Sequence, residues 1–277
     1  SNLWSAYQLV SLKTRYMQYF HASTTDMSLK NIIESILIET GEGLLTLTNL
    51  LNSAGIPTPV GFTEQDVTIN GEKIFSDSFI IYFCHDITLL LLSTYPSALS
   101  DCVRKDVREL FQTFTNQAIS AQDKLVELMV NKGLFLKPPH VTLEKEVDFV
   151  ESKKFLSKLF SDSRALNVAE IANLTRIIHR AYFSKMVFVI FHRLASGKDI
   201  KQHFSKGRDT IESAINALKK ILEEENIPLA ASGEYTIFEV EMSPFSDKLM
   251  LYFVNACLGM FCFTMLGQAM NTSLRSD

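Results

Sequence analysis

His85 and Asp86 are the residues of this chain best equipped for chemistry, an imidazole and a carboxylate side by side in the apolar run 79–99. A buried histidine–carboxylate pair in a helix bundle can hold a metal ion or pass a proton. Adjacent helix positions point about 100° apart, however, so the two side chains are poorly placed to chelate one ion. The plainer expectation is one interhelical hydrogen bond from His85 and a solvent- or interface-facing carboxylate at Asp86. They are weak metal candidates, and no residue is expected to be catalytic or to hold a cofactor. His21 and His192 sit near the ends of two helical patterns, where imidazole is favoured by the helix dipole. Arg104-x-Asp106 and Arg275-x-Asp277 recur at helix starts. Each arginine is expected to form a structural ion pair with an acid on a neighbouring helix or repeat, the alternative being a clamp for a ligand anion.

Several catalytic patterns are missing. The chain has no Glu-x-x-His, no GxSxG, no P-loop and no GxGxxG after a strand. Glu34, Glu39 and Glu42 share one predicted helix, but the matching positions later in the chain are Ser205, Thr210 and Ser213. A di-metal carboxylate bundle needs Glu from two helices and Glu-x-x-His from two more, so this pattern argues against an oxidase, a peroxidase or an iron store. Lysine and arginine total 27 against 31 acids, a net charge of −4, which provides no basic field for nucleic acid. Cys84, Cys102, Cys257 and Cys262 lie in apolar stretches without a CxxC, as expected of reduced thiols in the cytoplasm.

The elements that position these residues are written twice. A shift of 171 positions carries Asn2-Leu3 onto Asn173-Leu174, Phe20-His21 onto Phe191-His192 and Ile56-Pro57 onto Ile227-Pro228. Phe75-Ser76-Asp77 matches Phe245-Ser246-Asp247 at a shift of 170, and Arg104-x-Asp106 returns to 171. In the first copy, apolar residues at helical period predict helices over about 1–21, 29–54, 77–99 and 103–132. Short turns join the first two and the last two, and a long Pro/Gly/Thr-rich link separates the pairs. That connectivity is the ferritin-like arrangement. The expected architecture is therefore all-α, with two tandem ferritin-like four-helix bundles at 1–133 and 166–277 and an inter-repeat segment at 134–165. Each bundle has one long crossover between its second and third helices. The fourth helix of the second bundle is largely absent from the sequence, and the native polypeptide is expected to extend past both ends. Within 134–165, residues 148–160 could form a short amphipathic helix packed on the bundles.

Ser76 and Ser246 are expected to cap the third helices, with Asp77 and Asp247 in the first turns and Phe75 stapled onto Ile80. Residues 249–267 run 19 positions without a charge, long enough to cross a membrane. The matching segment carries His85 and Asp86, so a buried or self-associating helix is expected and a membrane span is not.

Gly55-Ile56-Pro57-Thr58-Pro59-Val60-Gly61-Phe62-Thr63 followed by Asp66-Val67, Phe75-Ser76-Asp77-x-Phe79, Arg104-x-Asp106-Val107-x-x-Phe111 and Pro244-Phe245-Ser246-Asp247-Lys248-Leu249-Met250 together resemble the domain of unknown function 3231 family. The resemblance covers essentially the whole chain. It implies tandem ferritin-like bundles from spore-forming bacteria, some of them labelled spore coat proteins, with no established activity or catalytic residues. The expectation is a non-enzymatic structural or interaction protein, cytoplasmic or spore-associated, whose protein partner is unknown. The alternative is a degenerate metal- or small-ligand-binding bundle near His85.

Overall fold

The computed structural model describes residues 2–69, 73–139, 165–229 and 242–273, and among them every regular element is a helix. The first repeat contributes α1 (Asn2–Ser23), α2 (Met27–Ser53), α3 (Asp77–Asp101) and α4 (Lys105–Asn131). The second contributes α5 (Val168–Leu194), α6 (Lys198–Glu224) and α7 (Asp247–Thr272). The expected helix at 148–160, and Arg275 and Asp277, lie outside the described residues.

The repeat is kept at the level of helix ends. Shifted by 171, α2 lands on α6 at both termini. The chain then leaves each helix through a left-handed residue, Gly55 at φ +65° and its counterpart Asn226 at φ +55°. Ile56 N–H closes on Leu51 O at 3.0 Å and Ile227 N–H on Leu222 O at 2.9 Å, one helix stop written with the two residue types that tolerate αL best. Asn167 opens α5 with the expected capping box to Glu170.

The recurring Phe-Ser-Asp motif divides its labour in the same way in both copies. Ser76 and Ser246 cap their own helices, accepting from Phe79 N–H and Leu249 N–H. Asp77 reaches back to the α1–α2 turn, accepting from Thr24 Oγ1 at 2.8 Å, Thr25 Oγ1 at 2.9 Å and Lys73 Nζ at 3.1 Å. Asp247 does the same to the α5–α6 turn, accepting from Ser196 N–H at 3.0 Å, Ser196 Oγ at 2.9 Å and Gly197 N–H at 3.1 Å. The motif therefore ties the third helix of each repeat to the hairpin of the first two. Phe75 stacks on Phe79 at 4.9 Å, and Ile80, the residue expected for the staple, is buried in the same core cluster.

The repeats share one hydrophobic core. Near its centre, residues stack on their own counterparts: Phe83 on Phe253 at 4.6 Å and Phe75 on Phe245 at 6.1 Å. A residue meets its equivalent only close to a two-fold axis, so an approximate two-fold runs between α3 and α7. Tyr16 and Phe20 of α1 close the same cluster, with Tyr16–Phe253 at 5.3 Å and Phe20–Phe83 at 4.9 Å. The crossover link of the first repeat also crosses the boundary. Asp66 caps its own 3-10 turn through Thr63 N–H at 2.9 Å, accepts from Ser246 Oγ at 2.8 Å and pairs with Lys248 at 3.0 Å. Val67 forms an isolated antiparallel bridge with Phe245.

The one-position slip in the repeat has a structural cause. Residues Phe253–Gly259 of α7 form a π turn, which takes up one extra residue without breaking the helix. Within the third helices the shift is 170 before that turn and 171 after it. Past the turn, the exposed Met260, Phe263 and Met270 of α7 therefore correspond to Leu89, Leu92 and Leu99 of α3. Those leucines are partly buried against the core, on a helix that α4 packs against.

Candidate functional site

α3 separates its two chemical residues. His85 turns to α4, where Gln122 Nε2 lies 3.1 Å from its Nδ1. Asp86 turns to the second repeat and meets Arg180 of α5. Arg180 Nη2 donates to Asp86 Oδ2 at 3.2 Å, and Arg180 Nε lies 2.8 Å from Asp86 Oδ1, off the line of a good hydrogen bond. Both side chains are buried, 6% and 9% exposed. The guanidinium also donates from Nη1 to Leu258 O at 3.3 Å and sits 4.3 Å from the centre of the Phe261 ring. Leu258 lies in the π turn, so the widened turn presents its carbonyl to the charge. Three elements from both repeats thus converge on one buried cation: α3 by Asp86, α5 by Arg180 itself, and α7 by Leu258 and Phe261. Asp86, expected to face solvent or an interface, is buried at the boundary between the two repeats.

Burial pushes the His85 imidazole below its ordinary value, and this outweighs the opposing pull of Asp86 and Gln122. Burial thus favours the neutral imidazole. Among the described residues its Nδ1 contact with Gln122 is its only hydrogen bond.

Beside this polar knot lies a cavity of about 410 Å³ between α3, α4 and α5. Leu89, Val126, Met129, Phe135, Phe183 and Met265 supply apolar wall; His85, Gln122, Asn173 and Arg176 supply polar groups. A second, much smaller cavity of about 20 Å³ lies within the first repeat, lined by Lys13, Glu39, Thr40 and Gln117 among others. This is the space between α1, α2, α3 and α4 where a bundle would hold metals. Here it faces a lysine. Burial brings the Lys13 ammonium down to about 8 despite the opposing charge of Glu39. A resident cation at that spot opposes a metal electrostatically. No group of three or more His, Cys, Asp or Glu is placed to hold a metal among the described residues.

The second repeat fills the matching space differently. Met17 and Ile36 become Phe188 and Gly207. A Cβ built on Gly207 would fall 2.2 Å from the Phe188 ring, so the glycine is what admits the larger side chain.

Arg104 differs from expectation. Its guanidinium pairs with Asp106 two positions along, Nη2 to Oδ2 at 2.6 Å, with both side chains about half exposed. His21 and His192 lie in the last turns of α1 and α5, and His192 Nδ1 lies 2.9 Å from Lys201 O. The four cysteines are free thiols, Cys84 and Cys257 buried. Arg180, Lys13 and the π turn were missed by motif reading. Each leaves a trace in the sequence: a lone arginine or lysine in an apolar helical pattern, and a slip of one in the repeat.

α3 and α7 are both long and apolar enough to cross a membrane by length and composition. In α3, 61% of the most apolar window is buried inside the protein, and in α7 44%. Their apolar character is spent first on each other, through Phe83 and Phe253.

A sequence model of the family described as protein of unknown function, DUF3231, matches residues 1–147 and 154–277. No curated protein matches the chain. Among solved structures, a Bacillus halodurans protein described as a "putative spore coat protein" is similar at 22% identity over 51% of this chain and 91% of its own, with a TM-score of 0.45.

Proposed function

The chain belongs to the DUF3231 family, and from that premise we propose that it is a non-enzymatic structural or interaction protein built as two ferritin-like bundles in tandem. The bundles are residues 1–133 and 166–277, with 134–165 between them. The helix order supports this reading: short turns join α1 to α2, α3 to α4 and α5 to α6, while long links separate α2 from α3 and α6 from α7. The observation that carries the functional half is what the repeated motif does. Ser76 and Ser246 cap helices, and Asp77 and Asp247 bind the neighbouring turns. The features inherited by both copies are thus occupied in holding helices together. The proposed setting is the cytoplasm of a spore-forming cell, with association to the spore or its coat, as the family resemblance implies. A fluorescent fusion followed through sporulation tests the setting; a signal that never joins the forespore or the coat removes it.

Self-association is proposed through the apolar third helix of the repeat, here α7, whose residues 249–267 carry no charge. The occupant is a second copy of this chain. Sedimentation should give a dimer that Phe263→Glu dissociates; a monomer at all concentrations rejects it.

A second reading is favoured by one observation, the cavity of about 410 Å³ beside His85. In this reading the chain is a small-ligand or metal-binding bundle with a degenerate site. Metal analysis separates the metal form from the scaffold: a stoichiometric transition metal lost on His85→Ala would sink the scaffold reading.

A further inference from the structure

We propose that the cavity between α3, α4 and α5 binds an apolar monocarboxylate, with the carboxylate on Arg176 and the hydrocarbon body against Leu89, Val126, Met129 and Phe183. The proposal rests on the small-ligand reading above and gives it a ligand class. The size and lining come first. About 410 Å³ falls within the usual range for small-molecule sites, which are mostly apolar with a few convergent polar groups.

The charge count then selects the ligand. Among the described residues that line the cavity, Asp86, Arg176 and Arg180 carry a full charge, and the imidazole of His179 lies on the same wall. Asp86 and Arg180 neutralise each other in their buried pair. Arg176 is exposed at the cavity edge, and among the described residues its one hydrogen bond runs to Asn173 Oδ1 at 3.2 Å, a neutral partner. Among the described residues one lining cation therefore remains without a counter-ion, on the residue type that grips carboxylates through two parallel N–H bonds. His85 adds a neutral polar group. If Gln122 Nε2 donates to its Nδ1, the imidazole proton sits on Nε2, available to an acceptor in the cavity. A metal or a cationic ligand is disfavoured by the same count.

The second repeat serves as a comparison within the molecule. The positions matching Arg176 and Arg180 in α1 are Ser5 and Leu9, and those matching His85 and Asp86 in α7 are Asn255 and Ala256. The two-fold mate of this cavity would therefore lack the cation and the ion pair, so one site per chain is expected.

The test is fluorescence titration of the full chain with cis-parinaric acid, an apolar carboxylate, alongside its uncharged methyl ester. The expected result is saturable binding of one acid per chain, with the ester about tenfold or more weaker, the usual scale of one charge-assisted contact. Arg176→Gln should bring acid and ester to equal affinity. Leu89→Trp should fill the cavity and remove binding of both, with the helical circular dichroism unchanged. Equal binding of acid and ester by the wild-type chain would overturn the carboxylate assignment and leave the ligand reading standing. Absence of saturable binding of either probe would overturn both. Binding that survives Leu89→Trp in a folded protein would place the probe elsewhere and reject the site.

Discussion

Phe83 and Phe253 are equivalent residues of two repeats, and they stack on each other 4.6 Å apart, only 15° from parallel. Each is fully buried. A contact of this kind makes the interior of one repeat the interior of the other, so removal of either ring should be felt across the chain. Phe253→Ala is expected to cost about 3–5 kcal/mol. Hydrogen exchange should show protection falling together in α1–α4 and in α5–α7. Loss confined to α5–α7 would mean the repeats open independently.

Phe188 and Gly207 fill with one large and one absent side chain the space that Met17 and Ile36 fill in the first repeat. Gly207→Ala gains helix propensity of about 1 kcal/mol, but its new Cβ meets the Phe188 ring at 2.2 Å. The clash is the larger effect, since overpacking of this kind costs about 1–3 kcal/mol. A net loss of stability in urea is expected, recovered in the double variant Gly207→Ala/Phe188→Met. A single variant as stable as the wild type would show that the ring moves freely.

Asp77 sets part of the acid limit of the fold. Burial by itself would raise its carboxyl, but hydrogen bonds from Thr24, Lys73 and Thr25 outweigh it and hold the value below the usual carboxylate range. A folded-state value below the unfolded one stabilises the protein above the ordinary carboxylate pKa of about 4, and that contribution is lost as pH falls through the folded-state value. Asp77→Asn should therefore lower the melting temperature at pH 7, by the equivalent of about 1–2 kcal/mol on the scale of a lost cap. The difference from wild type should shrink steadily below about pH 4. A gap that stays constant down to pH 2 would assign the effect to packing.

Much of this was legible before any coordinates, because it is local. The Ser76 and Asn167 caps, the Gly55 stop and the four-helix rhythm depend on residues within a turn of each other. The doubling of the pattern exposed the rest of the scaffold. What could not be read was whatever joins distant segments. Asp86 was visible, but Arg180 lies 94 positions away, and no spacing rule connects them. The π turn was present as the slip from 170 to 171, a signal that becomes specific only when a helix is seen to absorb it. The double duty of Asp77 was hidden for a related reason. An acid in a first turn already has a sufficient local explanation in the helix dipole, which conceals its bonds to another helix hairpin.

The most conspicuous buried polar pair of this protein, Asp86 with Arg180, couples its two repeats, each buried charge requiring the other. The repeat supplies its own control, since the matching positions are Ala256 and Leu9. The most direct measurement is a double-mutant cycle in urea with Asp86→Ala, Arg180→Leu and the two combined. Each single change leaves one charge buried without its partner and is predicted to cost about 3–5 kcal/mol, while the double change should recover most of that loss. Single variants that keep wild-type stability, or a double variant whose losses simply add, would contradict the account.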